Sequence, residues 1–157
     1  MLITARSNRG AGGPDDAVDR GVVGHAWSAD PEHWEHRGPL TEPGQGFGQL
    51  EVVQTYEIDG RHVLMFSTGA EHVYPQDSGA TGGVWWAPAA SAVGPFDVAN
   101  AQRIGGDELY VGKLIRDRET GATRLLAFVM DVDGEFVGEI IDPGTVVWEG
   151  DRPVLRR

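Results

Sequence analysis

Turn-forming residue pairs punctuate this chain so often that no long helix fits between them. They fall at Asp30-Pro31, Gly38-Pro39, Asp59-Gly60, Gly94-Pro95, Asp133-Gly134 and Pro143-Gly144. Gly weakens a helix by its freedom, and Pro breaks one by removing a donor and clashing with the preceding turn. Together they supply 32 of 157 residues, 23 Gly and 9 Pro, against an average near 12%. A helical bundle is thereby excluded. Hydrophobic residues still make up 40% and include five Trp and five Phe, enough for a core, so wholesale disorder is excluded too. A one-domain length with this punctuation predicts an all-β fold.

The segments between turns read as strands. Residues 50–58 (LEVVQTYEI) and 61–68 (RHVLMFST) flank Asp59-Gly60, a strong hairpin signal. Residues 109–116 and 123–130 form a second hairpin with its tip at Glu119-Thr120-Gly121, and Asp133-Gly134 leads into 135–141. Further strand-like runs are 1–8, 21–30, 82–88 and TVVWEG, with a short segment starting at Trp34. A Gly-, Pro- and Asp-rich loop is expected over 9–20 and a polar loop over 69–81. The reading gives roughly ten strands spaced about 8–15 residues apart. A sandwich predicts the same spacing. Repeated meanders, each a pair of hairpins followed by a loop, favour propeller blades.

Charge and chemistry narrow the partners. The formal charge is −11, from 13 basic and 24 acidic residues, which repels a polyanion and argues against nucleic acid. No basic amphipathic stretch marks a membrane surface, and no apolar run approaches the ~20 residues a spanning helix needs. The chain has no Cys, so disulfides and thiolate metal sites are excluded. Met1-Leu2-Ile3-Thr4-Ala5-Arg6 lacks the basic start and apolar stretch of a secretion signal, and the expected compartment is cytoplasmic. The His residues at 25, 33, 36, 62 and 72 lack zinc-motif spacing; no metal or cofactor is expected. Ser28-x-Asp30 near His25 lacks a nucleophile-elbow context and reads as a turn.

A family resemblance runs through short motifs. They are Ile3-Thr4-Ala5-Arg6, Gly21-Val22-Val23-Gly24-His25-Ala26, Ser28-x-Asp30 with Trp34-Glu35, and Leu50-Glu51-Val52-x-Gln54. They continue through Gly94-Pro95-Phe96-Asp97, Leu109-Tyr110-x-Gly112 and Phe136-x-Gly138-Glu139-x-x-Asp142-Pro143. The chain resembles the later blades of the five-bladed β-propeller glycoside hydrolases of families 32, 43 and 68, which act on furanosides such as fructosides and arabinosides. The resemblance implies a partial β-propeller of about three four-stranded antiparallel blades, approximately residues 1–45, 46–105 and 106–157. Val53 departs from that family, where Pro often follows Glu-Val or Glu-Cys.

The resemblance also implies chemistry. Glu51 matches the family's acid/base Glu, while its two Asp motifs have no match here. Asp15 and Asp16 do not supply them. The chain is therefore expected to be truncated relative to a full propeller and to lack the complete carboxylate set. Two-carboxylate cleavage needs an acid on the leaving oxygen and a second carboxylate about 5–10 Å away. Trp85 and Trp86 are candidate sugar-stacking residues; being adjacent, one is expected to face inward and the other outward. His72 beside Glu71 lies where relatives shape the pocket, and Glu139 is placed near the centre. The alternative is a non-catalytic carbohydrate-binding or structural remnant, or a pocket recruited to another small molecule. Val22, Val23, Val52, Leu64, Phe66, Leu125, Phe128 and Ile140 are candidate blade-face residues. Three blades alone leave apolar faces open, so a homodimer or a partner chain completing the propeller is expected.

Overall fold

Hairpin turns organise the computed structural model, which describes residues 1–8, 19–75 and 79–156. At Asp59-Gly60 the two φ angles are 51° and 79°, and at Asp133-Gly134 they are 53° and 82°. Positive φ at both positions is what a type I′ turn requires, and its twist matches the strands it joins. The wider loop after Asp117 closes differently. The Asp117 carboxylate accepts from the backbone N–H groups of Glu119 and Thr120, each at 3.0 Å. Those bonds, with Arg124 nearby, hold its carboxyl below the usual carboxylate range.

Twelve strands are found among the described residues, in three antiparallel sheets. The first sheet is β1 (Leu2–Arg6), β2 (Gly21–Trp27) and β3 (Glu35–Arg37) in that order. The second is β4 (Glu51–Ile58), β5 (Arg61–Thr68), β6 (Gly83–Ala89) and β7 (Gln102–Arg103). The third holds β8 (Leu109–Arg116), β9 (Thr123–Val132), β10 (Glu135–Ile140), β11 (Gly144–Glu149) and β12 (Arg152–Arg156). In the third sheet β8 takes one edge of β9. On the other edge β10 and β11 lie end to end: Ile140 faces Phe128, and Gly144 faces Leu125.

Two strands exceed the sequence reading. β7 is only two residues long, below what alternation can reveal. β12 contains Pro153, which argues against a central strand; β12 is an edge strand, where Pro is tolerated. The expected loop at 9–20 lies largely outside the described residues, as do Asp15 and Asp16, and the loop at 69–81 lies partly so. Within the latter a single 3₁₀ turn covers Ala70–His72.

The middle sheet is buried on both faces. On one face Leu64, Phe66 and Ala87 join Val23, Phe47, Leu50 and Val53 against the first sheet. On the other, Val63, Met65, Val84 and Trp86 join Leu109, Leu125 and Val146 of the third. That is why β5 is buried at six consecutive positions, Val63 to Thr68. Each such fully buried Leu, Met or Phe contributes about 1.5–3 kcal/mol. Polar ties add register: the Thr4 hydroxyl donates to the Leu50 carbonyl at 2.8 Å. The Trp148 indole donates to the Ile58 carbonyl at 3.1 Å, and Arg61 stacks over its ring at 4.5 Å. Of the expected blade-face residues, Val22, Val23, Leu64, Phe66 and Leu125 are buried and Phe128 partly so. Val52 and Ile140 are exposed instead, because one sits in a bulge and the other on the edge strand β10.

Candidate functional site

Glu51 is the first residue of β4, and the backbone just after it is distorted. Register to β5 shifts between Glu51, opposite Ser67, and Gln54, opposite Met65, so one extra residue is inserted. Val52 in that bulge has φ 52°, a left-handed conformation costly for a β-branched residue. The third sheet repeats the device. Register shifts between Tyr110, opposite Phe128, and Lys113, opposite Leu126, and Val111 has φ 51°. Such strain costs about 1–3 kcal/mol per residue, and bulges re-aim side chains. Glu51 and Tyr110 thus occupy the same step of the first strands of successive sheets.

The two side chains meet. The Tyr110 hydroxyl donates to Glu51 Oε2 at 2.6 Å. Burial, that hydrogen bond and the charges of Glu51 and Glu71 push the Tyr110 phenol far above its ordinary range, so the hydroxyl stays a donor. On the other side of Glu51, the Gln49 amide lies between the Glu51 carboxylate and the Arg6 guanidinium, and with its nitrogen turned to Glu51 and its oxygen to Arg6 it donates to the one and accepts from the other. A polar chain therefore runs Arg6–Gln49–Glu51–Tyr110 from the first sheet to the third. Beneath it the Val111 N–H donates to the Ser67 hydroxyl at 2.9 Å. A Cβ on Gly112 would lie 2.5 Å from Val84, so only Gly lets β8 approach β6 this closely.

Tyr110 also lines a cleft of about 890 Å³ between the second and third sheets. Thr68–Glu71 and Thr81–Gly83 form one wall; Asp107, Glu108 and the β9–β10 turn, Met130 to Gly134, form the other. Five of the lining residues are carboxylic acids and none is basic. The volume falls in the range of ligand pockets. Among the described residues no group of three or more His, Asp and Glu converges to hold a metal ion.

The other candidates lie apart from this pair. Trp86 is 3% exposed, edge-on to Trp148 with centroids 5.9 Å apart. Trp85 is partly buried against Phe47, with its indole nitrogen buried and unpartnered. Neither lines the cleft; the two point to opposite faces of the sheet as expected, but both faces are covered, so neither is presented to solvent as a stacking surface. The His72 ring is largely buried, 3.7 Å from the Glu71 carboxylate, and Glu71 lines the cleft. Glu139 is exposed on β10, an edge strand, and is not among the residues that line the cleft. Ser28 and Asp30 form a turn: the Asp30 carboxylate accepts from the N–H groups of Glu32 and His33 at 2.9 and 2.8 Å. Tyr110, which bonds Glu51 and lines the cleft, is the member of this pair that sequence reasoning did not single out. Its signal was the parallel between Leu50-Glu51-Val52-Val53 and Leu109-Tyr110-Val111-Gly112.

No protein-family model and no curated protein sequence matches the chain. Among solved structures it is similar to the GH32 beta-fructofuranosidase BmSUC1 of Bombyx mori, with a TM-score of 0.70 at 19% identity. A variant of that enzyme in complex with sucrose matches equally, at 0.70 and 19%. In both cases 99% of this chain is covered and 33% of the other, so the chain spans about a third of that enzyme's length. The fold is that of a partial GH32-like β-propeller.

Proposed function

We propose, from a fold shared with part of a sucrose-handling propeller, that this chain forms one wall of a furanoside site in which Glu51 is the acid/base. The carrying observation is the Glu51–Tyr110 hydrogen bond at the head of the two bulged strands, with Tyr110 opening onto the cleft. A glycosidase acid must stand within hydrogen-bond reach of the leaving oxygen in a fixed orientation. Tyr110 on one side and Gln49 on the other supply that fixing. The opposing carboxylate that cleavage requires is then contributed from outside these three sheets, by polypeptide that extends the arc. Alone, the chain binds sugar without turning it over.

Calorimetric titration with sucrose and fructose tests the reading. Binding is expected in the wild type and is expected to weaken in Tyr110→Phe and Glu51→Gln. Absence of sugar binding overturns it. Where a partner restores turnover of an aryl furanoside, Glu51→Gln should lower it about 10²–10⁴-fold; unchanged turnover removes Glu51 from the chemistry.

A further inference from the structure

The β9–β10 hairpin stands clear of the core. All six residues of β10 are exposed, including Phe136 at 74% and Ile140 at 72%. Met130 and Val132 on the facing end of β9 are each 47% exposed. Single exposed apolar residues are ordinary, but a cluster on one hairpin marks an interaction surface. Among the described residues β10 pairs only with β9, so its outer backbone edge is open. That open edge continues the line of β12, which flanks β11 on the same side. A slot one strand wide therefore exists beside two short hydrogen-bonding runs, Glu135-Phe136 and Glu139-Ile140, which a one-residue bulge separates, with apolar side chains beside it.

Charge selects the occupant. The hairpin carries Asp131, Asp133, Glu135 and Glu139, and no Lys, Arg or His occurs from residue 125 to 151. A second copy presenting the same hairpin would set like charges against like, which destabilises a strand pair. We propose that β10 is a docking edge for an extended, basic segment of another protein. That segment would add as a strand, placing Lys or Arg against the hairpin carboxylates and apolar side chains beside Phe136 and Ile140. The proposal does not depend on the role given to Glu51.

A fluorescein-labelled peptide of alternating Arg and Val is the probe, followed by anisotropy at physiological ionic strength, with hydrogen exchange mapping its position. Binding is expected, with new amide protection confined to Glu135–Ile140. Phe136→Asp should weaken it about tenfold, the loss expected for one interface anchor. The double variant Glu135→Lys with Glu139→Lys should transfer preference to a Glu-Val peptide of equal length. Both sites are exposed, so these substitutions leave the core untouched. Three outcomes overturn the proposal. One is equal binding of a charge-matched Arg-Pro peptide, which lacks the donors for strand addition. Another is protection elsewhere on the chain. The third is concentration-dependent protection of Glu135–Ile140 without peptide, which would make a second copy the occupant.

Discussion

Val52 and Val111 hold a conformation that β-branched side chains avoid, each one residue after a member of the site pair. Replacing Val52 with Gly relieves strain of about 1–3 kcal/mol and adds unfolded-state freedom worth about 0.5–1 kcal/mol. The expected net is unchanged or raised stability by urea unfolding, together with looser Glu51 and weaker sugar binding. Tyr110 has a pH signature. Its phenol is raised in the folded state above the ordinary value of 10.0, so its contribution is fully present below pH 10 and lost as pH rises beyond it. Tyr110→Phe should therefore flatten the decline of the urea midpoint above pH 10. Glu51 was legible as a residue because a motif surrounds it. The hydrogen bond that orients it was not, because its partner lies 59 positions away and only the stacking of two sheets unites them.

At the scale of elements, the hairpins carried by Asp-Gly turns were legible because those two residues specify the turn locally. The burial of adjacent Trp85 and Trp86 was not, since strand alternation assumes one wet face and the middle sheet has none. The third sheet is pinned to the second by one side chain above others. Trp148 packs edge-on to Trp86, lies under Arg61, and donates to Ile58 of β4. Trp148→Ala should lower unfolding free energy by about 3 kcal/mol, the range for removing a core aromatic. Arg61→Ala, which removes only the exposed partner, should cost about 0.5–1 kcal/mol.

The whole molecule is an arc of three sheets with the middle one covered twice. Its first sheet shows Trp27 at 46% exposure, the connection from β2 to β3 shows Trp34 at 49%, and its third sheet shows Ile115 at 42%. Ends of this kind favour association, and we expect light scattering at micromolar concentration to give about twice the mass of one chain, the simplest closed assembly. A single-chain mass would remove self-association from the reading and leave another chain as the partner. Architecture at this scale was readable through the family resemblance, the repeated meanders alone being compatible with a sandwich as well. The cleft was not, since its two walls are brought together by neighbouring sheets.

The third sheet's broken strand separates two duties. Since β10 and β11 share one edge of β9 without being continuous, the hairpin formed by β10 and the end of β9 from Met130 can open while β8, the rest of β9, β11 and β12 stay closed. Amide exchange should report two cooperative units, a fast one over residues 130–140 and a slow one beneath it. The rim we propose as a docking edge can thus be lengthened, recharged or reshaped without drawing on the layer that keeps the sheet folded.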